Sequence, residues 1–448
     1  MSSALGIPWS LSPMKKVNRF LQTVWCRVCG IVAAMLFPVV ATCSFSACAD
    51  DDEETPSFVS PYADSRTVMV YMVAENSLSA NVWSDVNEML AGMKNDSLKV
   101  GDRLVIYVDD LGLPRIYVVD KMTGGTAFSD LKPVVTYDEE VNSATAEGLS
   151  AFMDYAVSHY PAESYGLLLW SHASGWLPSS YGGDYDGGAP VRRKSFGLDN
   201  GMNLSKNLGN QMSVADMVKA LEGKPMLEFI LFDACLMQNI EVAYELRHAA
   251  KYMIASPAEL PLLGANYTTM SKAMFRKDMP HEHILEAYYR EYAEGPHRDS
   301  YGIVVSSVNM GMLDDYVAYM KTVVAAHKAE MLKLERDVSD MLNYICYGQW
   351  TFNYPDFLDM QGIMLQVLNE EEYALWKAKT DRVIDCLHTD QWYTDFIKAR
   401  VSVDDAQCCG VSMFIPFEKY SSRTFESTFK SFNEAYSQTS WAKDVWMD

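Results

Sequence analysis

Two short apolar runs of the sequence each end in a side chain that can take part in acyl transfer. The run Phe229–Phe232 is followed by Asp233 and Cys235, and the run Tyr165–Trp170 is followed by His172. A cysteine thiolate is a strong nucleophile and histidine titrates near neutral pH, so this pair predicts cysteine-nucleophile catalysis. Buried cysteines also serve as small core residues, and the residues alone leave that interpretation of Cys235 open.

The surrounding elements must bring both side chains to one edge of a sheet. Short, fully apolar runs are typical of buried parallel strands, and open α/β folds place their chemistry beyond the carboxyl ends of such strands. Further strands are predicted at Thr67–Val73, Leu104–Val108 and Tyr301–Val308, and amphipathic helices at Leu78–Met93 and Ala144–His159. This alternation predicts parallel pairing with right-handed crossovers.

The rest of the chain gives coarser predictions. Between His172 and residue 311, we expect the helices Val214–Leu221 and Met237–Ala250 and an irregular loop at Ser256–Tyr267. Beyond residue 311 the pattern favours long helices and one strand, predicted as helices Asp314–Tyr347, Met360–Leu368, Glu370–Leu387 and Phe425–Tyr436 and the strand Gly410–Pro416.

The motifs SHASGW at Ser171–Trp176 and FDACLM at Phe232–Met237 resemble the two signature motifs of the clostripain family of cysteine peptidases, relatives of caspases, gingipains and legumains. The similarity runs from about Thr67 to near the C-terminus. It includes VMVYMVAENSLS, ELRHAAKYMIASPAEL, FGLDN, PDFLDM and GVSMFIPF. The resemblance implies a caspase-like three-layer α/β/α sandwich with a mostly parallel sheet, followed by a largely helical C-terminal region.

The family likeness also implies roles for individual residues. Cys235 and His172 correspond to the catalytic dyad, with the backbone N–H groups of Cys235 and Ala173 as the oxyanion hole. Asp233 corresponds to the acid at the floor of the S1 pocket, which implies an endopeptidase that cleaves after Arg or Lys. The alternative is that Asp233 caps the following helix or orients the loop.

Ala173 departs from the family pattern, which has glycine after the histidine. If this position needs a positive φ, alanine there costs roughly 1 kcal/mol and tilts an oxyanion donor. The departure motivates an alternative function, a catalytically weakened or inactive surface binding protein on the same fold. A scaffold in a surface assembly is a third class, which rests only on the predicted membrane anchor.

The N-terminal residues 1–48 have the order of a lipoprotein signal peptide, with basic residues before the apolar run Ile31–Ala41 and a lipobox-like Phe45-Ser46-Ala47-Cys48. Cys48 is the predicted lipidation site and the membrane anchor. Residues 49–64 are predicted to form an acidic tether, which resembles an export signal for the outer face of the outer membrane. The alternative is that the acidic residues serve only as a spacer. We expect residues 65–310 to be the catalytic domain and residues 311–448 a mainly helical region packed on it. The predicted location is the cell surface, as a bacterial outer-membrane lipoprotein.

Charge and composition restrict the partners. The formal net charge of −22 excludes nucleic acid as the expected partner and favours basic peptide substrates. No cofactor is expected; calcium stays open because some relatives bind it, although the loop with Asp184 and Asp186 lacks the full spacing of a calcium loop. His281 and His283 are predicted to be surface residues rather than metal ligands. Asp356 and Asp359 are predicted to have structural roles, because the pair resembles an N-terminal helix cap.

The long polar stretch from Pro178 to Met212 exceeds what a connection between neighbouring elements requires, and it carries the basic run Arg192-Arg193-Lys194. If Asp233 selects basic residues, this run is an intramolecular substrate, and the family likeness implies activation by a cut between the catalytic residues. We therefore predict autoprocessing at Arg192, Arg193 or Lys194, in a monomer whose two fragments stay associated. A solvated basic patch without a processing role is the alternative.

Overall fold

The computed structural model describes residues 63–177, 181–182, 192–193, 196–202, 204, 210–344, 355–394, 399–422 and 431–447. The predicted signal peptide with Cys48, the tether up to residue 62, Asp184, Asp186 and Lys194 lie outside the described residues. The predictions made for them therefore stay predictions.

The strands of the described residues carry the labels used below. They are β1 (Arg66–Val73), β2 (Arg103–Asp109), β3 (Arg115–Asp120), β4 (Val135–Thr136), β5 (Ser164–Trp170), β6 (Tyr181–Gly182), β7 (Arg192–Arg193), β8 (Phe196–Asp199), β9 (Asn210–Met212), β10 (Leu227–Asp233), β11 (Ala250–Ala255), β12 (Val304–Asn309), β13 (Leu358–Asp359), β14 (Ile384–His388), β15 (Gln391–Thr394), β16 (Ala399–Ser402) and β17 (Ser412–Met413).

The α-helices are labelled in the same way. They are α1 (Val82–Met93), α2 (Ala146–His159), α3 (Val214–Leu221), α4 (Ile240–Leu246), α5 (Tyr267–Met274), α6 (Pro280–Ala293), α7 (Leu313–Lys333), α8 (Met360–Val367), α9 (Glu370–Thr380) and α10 (Phe432–Tyr436). Short 3-10 turns and a π-helical turn at Ala442–Trp446 complete the described secondary structure.

One nine-stranded sheet has the order β14-β12-β11-β10-β5-β1-β2-β3-β4. The five central strands, from β11 to β2, run parallel, and the two strands at each edge are antiparallel to their neighbours. The chain passes from β1 to β2 on one side and later adds β5 on the other side of β1. In such a sheet the crevice for ligands lies where the strand order reverses, at the carboxyl ends of the strands.

The alternation of side chains along the strands separates two apolar cores. In β1, Met69, Tyr71 and Val73 face one core, which also contains side chains of α2, α3, α4 and α7. The alternate residues Val68 and Val70 face the second core, with side chains of α1, α5 and α6. Successive strand residues point to opposite faces, so both faces must be apolar when helices cover both. The predicted three-layer α/β/α sandwich is confirmed.

The region beyond residue 311 is largely helical as predicted, but it also contributes to the sheet. The predicted helix Glu370–Leu387 ends at Thr380, and Ile384–His388 instead pairs with β12 as edge strand β14. Short apolar runs do not distinguish a helix from a strand, and the alternation of Ile384, Cys386 and His388 here follows the strand period. The described residues from 63 onward accordingly belong to one compact unit.

Three other predicted elements are longer than the observed ones. Helix α7 ends at Lys333 rather than at Tyr347, where the polar sequence that follows forms 3-10 turns. Helix α4 spans only Ile240–Leu246, because the residues after Cys235 form a turn before it. The predicted strand Gly410–Pro416 is reduced to β17. Among the described residues, no helix has both the length and the apolarity of a membrane span.

Candidate active site

Strands β5 and β10 bring the two catalytic candidates to the same edge of the sheet. The strands are parallel neighbours, and their register pairs Asp233 with Trp170. Cys235 and His172 each lie two residues beyond this pair, just after the ends of the two adjacent strands. Both side chains are partly exposed, while the strands that carry them are buried. The sequence prediction of a cysteine and a histidine at neighbouring strand ends therefore agrees with the register.

The loop after β11 holds the thiol of Cys235. The backbone N–H of Leu260 points at the Cys235 Sγ atom, with 3.3 Å between nitrogen and sulfur. The next residue, Leu236, has a positive φ of 63°, and its N–H donates to the Ala258 carbonyl at 3.0 Å. A non-glycine residue in this conformation stores strain that neighbouring contacts must offset. The sharp turn at Leu236 presents the thiol at the sheet edge, and the predicted irregular loop Ser256–Tyr267 supplies the contact to it.

The histidine is oriented by a residue that follows β1 and by strand β8. The Nε2 atom of His172 lies 2.9 Å from the hydroxyl oxygen of Ser77, and the His172 carbonyl accepts a hydrogen bond from the Gly197 N–H at 3.0 Å. Ser171 reinforces the arrangement, because its hydroxyl donates to the Val73 carbonyl at 2.7 Å. The stretch predicted to lack regular structure thus contributes strand β8 to the support of His172.

Ala173 does not have the positive φ that would have made alanine unfavourable in place of glycine. Among the described residues, the non-glycine positions with positive φ are Asp64, Leu236 and Met279, so Ala173 carries no left-handed strain. The glycine that this motif requires is Gly175, whose φ is 69° and whose added Cβ would lie 2.2 Å from the Asn239 Oδ1 atom.

Asp233 is the most fully partnered carboxylate near the thiol. Its Oδ2 atom accepts hydrogen bonds from the Tyr267 hydroxyl at 2.5 Å and from the Ala265 N–H at 3.2 Å, and Tyr288 donates to Oδ1. Burial raises the pKa of Asp233, while these donors act in the opposite direction. Gly264 covers it closely, since a Cβ there would lie 2.8 Å from Oδ2.

An acidic pocket of about 390 Å³ lies between α1 and the loop that contains Gly264. Asp85, Glu88 and Glu291 contribute to its lining. Burial, together with the nearby charge of Asp233, raises the pKa of Asp85 to about 8. The Trp170 indole N–H donates to Asp85 Oδ2 at 2.9 Å, which connects the pocket to the end of β5.

The sequence reasoning missed Asp85, although a signal was present. Val82, Val86 and Met89 form the buried face of α1, and Asp85 lies on the same face at helical spacing. A charged residue among apolar ones on a helix face is rarely buried without a role, because burial of an isolated charge is costly.

The C-terminal region braces both motif loops. The Asn239 side chain donates to the Ser412 hydroxyl at 2.7 Å, and its Oδ1 atom accepts from the Trp176 N–H at 3.2 Å. Ser412 also donates its N–H to the Gln238 carbonyl at 3.1 Å. One asparagine thus links the loop after β5, the loop after β10 and strand β17.

Other predicted residues have the following positions. Arg192 and Arg193 form the short strand β7, which pairs with β6. His281 is not a surface residue: it is buried and stacks on Tyr252 with 3.4 Å between ring centroids, because the start of α6 packs against β11. His283 is partly exposed.

The predicted structural role of the acids near α8 is confirmed. Asp359 is the N-cap of this helix, accepts from the Gln361 N–H at 2.7 Å, and also accepts from the N–H groups of Cys409 and Gly410. Asp356 accepts from Asn343 at 2.8 Å. Among the described cysteines, Cys235, Cys386, Cys408 and Cys409 are thiols rather than disulfides.

One group of described side chains could hold a metal ion. Glu75, Asp109 and Asp199 are buried, and each offers a carboxylate oxygen within 4.8 Å of the other two. Glu75 follows β1 directly, Asp109 ends β2 and Asp199 ends β8. The group therefore lies at the carboxyl edge of the sheet, on the side of β1 away from β10.

Comparison with known proteins places these features in a family. The model of the clostripain family, Peptidase_C11, matches residues 70–446. Clostripain from Hathewaya histolytica is 27% identical over 198 residues, 40% of this chain and 36% of clostripain. The chain thus matches little more than a third of the length of that relative.

Two solved structures are similar over most of the chain. A secreted C11 cysteine protease from Bacteroides thetaiotaomicron, in complex with an irreversible peptide inhibitor, has a TM-score of 0.64 and 28% identity, covering 86% of this chain and 99% of its own. An inactive zymogen C11 protease from Parabacteroides distasonis has a TM-score of 0.66 and 27% identity, covering 85% and 97%.

Proposed function

Because this chain belongs to the clostripain family, we propose that it is a cysteine endopeptidase that acts through Cys235 and His172 and cleaves after Arg or Lys. The observation that supports the proposal is the pairing of β5 with β10, because Cys235 and His172 each follow two residues after the paired strand ends Asp233 and Trp170. The relative solved with an irreversible peptide inhibitor supports the reaction class.

The proposed reaction forms and breaks one covalent bond to the enzyme. The Cys235 sulfur attacks the scissile carbonyl carbon, and the negative oxygen of the tetrahedral intermediate accepts hydrogen bonds from the N–H groups of Cys235 and Ala173. His172, which has taken the thiol proton from Cys235, transfers it to the leaving amine, the C–N bond breaks and a thioester remains. Water, deprotonated by His172, then attacks the thioester, releasing the acid product and the thiol.

The contacts of Ser77 and Leu260 are suited to these roles. Ser77 holds the imidazole of His172 through the 2.9 Å contact to Nε2. Leu260 supplies an N–H to the sulfur, and hydrogen bonds to a thiolate favour the charged, nucleophilic form. Both are positioning residues in this proposal.

We propose that the acidic pocket is the S1 site. Gly264 in its lining packs directly on Asp233, and Asp85 contributes a carboxylate from α1 to the pocket itself. A guanidinium or ammonium group of the substrate would favour the ionised forms of both acids, which burial otherwise disfavours. Such charge-assisted hydrogen bonds are worth about 1.5–3 kcal/mol each.

The test is a fluorogenic assay on Arg, Lys and neutral P1 substrates with wild type, Cys235→Ala and Cys386→Ala. We expect Cys235→Ala to lose all turnover, because no other described thiol follows a strand of the parallel core. Cys386→Ala, the matched control at a sheet-edge thiol, should keep activity. Equal turnover in wild type and Cys235→Ala would exclude the peptidase. Folded wild type that neither turns over substrate nor reacts with an arginyl acyloxymethyl ketone would favour a surface binding protein.

We also propose that the enzyme activates itself by cleavage at Arg192, Arg193 or Lys194. A solved relative is an inactive zymogen, which supports activation as a feature of this group. Because β5 and β10 pair in one sheet, the two fragments should stay together after the cut. Intact-mass analysis should find two co-eluting fragments in wild type and one chain in Cys235→Ala. An uncut wild type with full activity would contradict self-activation.

The proposed location is the bacterial cell surface, with Cys48 carrying the lipid. Metabolic labelling with an alkyne fatty acid should mark wild type and not Cys48→Ala, and external protease should then remove the protein from intact cells. Labelling of both proteins would place the acyl group elsewhere. Protection from external protease would place the domain on the periplasmic face.

A further inference from the structure

The thiols of Cys386 and Cys408 are in contact, although the two residues come from different elements. Cys386 is on the edge strand β14, and Cys408 lies in the segment before β17. Their Sγ atoms are 4.0 Å apart, and Cys408 is buried while Cys386 is partly exposed. Neither thiol has a role in the proposed reaction, whose nucleophile is Cys235. The contact between the two cysteines therefore requires an explanation of its own.

The backbone segments that carry the two cysteines are held against each other. Cys386 pairs with Ser306 across β14 and β12, and the Ser306 hydroxyl donates to the Gly410 carbonyl at 2.6 Å. Gly410 packs so closely on β14 that an added Cβ would overlap the Cys386 sulfur. The Gly410 N–H also donates to the Asp359 carboxylate at 2.9 Å. The segment that contains Cys408 is thus fixed beside the strand that contains Cys386.

Cys409, the next residue after Cys408, has different partners. Its Sγ atom is 3.7 Å from the Val411 carbonyl oxygen, and its N–H donates to Asp359 at 3.0 Å. Within the described ranges, the side chains that group closely enough to hold a metal ion do not include these cysteines. A covalent bond between the sulfurs of Cys386 and Cys408 therefore fits the arrangement better than a shared metal ion.

We propose that Cys386 and Cys408 form a modification site, at which a disulfide oxidant converts the two thiols into a disulfide bond. The sulfurs must approach to about 2.05 Å, and rotation of the two side chains has to supply this movement because their backbones are held. Exported proteins meet oxidants that form such bonds, whereas cytosolic thiols stay reduced. Formation in the cell therefore rests on the proposed export. The pairing itself depends neither on export nor on peptidase activity.

The chemistry consists of two thiol–disulfide exchanges with an oxidant RSSR, where R is the rest of a small molecule or protein. The thiolate of Cys386, the more exposed residue, attacks one sulfur of RSSR, so a mixed disulfide forms and RS⁻ leaves. The Cys408 thiolate then attacks the Cys386 sulfur and releases the second RS⁻. The two cysteine protons pass to the leaving groups, which become two RSH. The two electrons lost by the cysteines reduce RSSR.

The bond would join the edge of the sheet to the segment that supports the motif loops. Ser412, shortly after Cys408, contacts the Asn239 side chain and the Gln238 carbonyl. Closing a loop of roughly 20 residues should lower the unfolding equilibrium constant about a hundredfold. The thiol form already has the hydrogen bonds to Ser412, so the disulfide should change stability and leave turnover nearly unchanged.

The test uses the full chain in the Cys235→Ala background, which removes autolysis and the reactive nucleophile. The contact with Cys408 raises the pKa of the Cys386 thiol well above its usual value, which slows exchange in the folded protein. One reduced sample is therefore incubated folded with oxidised glutathione. A second sample is unfolded in urea and refolded in a glutathione redox buffer, so that slow access cannot hide the bond.

Peptide mapping then identifies the bond. Free thiols are alkylated, and the tryptic peptides are analysed by mass spectrometry without reduction. Trypsin places Cys386 in residues 383–398 and Cys408 in residues 401–419. We expect these two peptides to be joined by one disulfide that dithiothreitol splits.

Two variants and a matched control assign the partner, because Cys408 and Cys409 share a tryptic peptide. Cys386→Ala and Cys408→Ala should lose the linkage, while Cys409→Ala should keep it. In urea unfolding, dithiothreitol should lower the midpoint of the oxidised parent and of Cys409→Ala. It should leave the midpoints of Cys386→Ala and Cys408→Ala unchanged.

The outcomes that would overturn the proposal are distinct. Free thiols at Cys386 and Cys408 in both samples of folded parent would show that the contact does not become a bond. A linkage that survives Cys408→Ala but not Cys409→Ala would assign the bond to Cys409. A linkage to residues 337–377 would assign it to Cys346, which lies outside the described residues. No substrate takes part, so failure here would leave the peptidase proposal intact, and an inactive wild type would leave the pairing intact.

Discussion

Two groups of buried acids lie at the same edge of the sheet and differ in how many hydrogen bonds their carboxylates accept. Asp233, at the end of β10, accepts hydrogen bonds from Tyr267, Tyr288 and the Ala265 N–H. Glu75 and Asp109, beyond β1 and at the end of β2, accept none of normal geometry from the described residues. Both groups follow apolar strands, so the sequence signal is the same, and the donors brought by other elements separate them.

The difference indicates two kinds of function. A carboxylate with donors already in place is held in one orientation, as a specificity pocket requires, and it can stay charged when a basic ligand arrives. Buried carboxylates without donors are costly to ionise and favour the protonated form. The Asp233 side is therefore suited to hold a charge, and the Glu75 side to hold protons.

Replacing Asp233 by Asn is the strongest test of the first half of this comparison. The change removes the charge and little volume, so the fold should persist while kcat/KM for Arg substrates falls by about 10- to 100-fold relative to neutral substrates. Asp315→Asn, an exposed acid at the start of α7, is the matched control and should keep the preference. If folded Asp233→Asn still prefers Arg, the S1 acid lies elsewhere, with Asp85 as the next candidate.

Whether a feature of the structure could be predicted from the sequence depends on how far apart along the chain the interacting residues lie. The strand ends that carry Cys235, His172 and Asp109 were predictable, because apolar runs that stop at a polar residue are local patterns. The donors to Asp233 were not, since Tyr267 and Tyr288 come from helices more than thirty residues further along. No local pattern predicts such pairings. The edge strand β14 was missed for a different reason, because a short apolar run fits helix and strand equally.

Glu241 is intermediate between the two groups in its hydrogen bonding, and its titration can be tested by changing the pH. Its Oε1 atom accepts from the Phe414 N–H at 2.9 Å, while its Oε2 atom has no partner within the described residues. Burial raises its pKa to about 8. The folded state then keeps a proton that the unfolded state has released, so the free energy of unfolding should fall as pH rises from about 4.5 to about 8.

Glu241→Gln should remove this dependence. Relative to the variant, wild type should lose roughly 2 kcal/mol of unfolding free energy between pH 6 and pH 8. Urea unfolding of both proteins at the two pH values measures it. Glu245→Gln, one turn further along α4, serves as the control. A difference between wild type and Glu241→Gln that is the same at both pH values would mean that Glu241 does not titrate in this range.

Tyr267→Phe tests whether the donors of Asp233 matter for stability. It removes one hydroxyl and leaves a buried carboxylate with less support, so the free energy of unfolding should fall by about 1–2 kcal/mol. Tyr289→Phe, whose ring is only partly buried on α6, should change it much less. Adding Asp233→Asn should make the effect of Tyr267→Phe smaller, because the two groups interact. Fully additive effects would contradict a direct hydrogen bond.

The smallest expected effect concerns Ala173, the residue that the motif alone presented as a defect. Its φ is not positive, so glycine would relieve no strain and would only add freedom to the unfolded chain. Ala173→Gly should lower the free energy of unfolding by less than about 1 kcal/mol and change kcat by no more than roughly twofold. Gly175→Ala is the contrasting variant, because its φ of 69° and the 2.2 Å approach to Asn239 should disrupt the loop and abolish activity. A large gain in turnover for Ala173→Gly would show that this position, and not Gly175, limits the oxyanion hole.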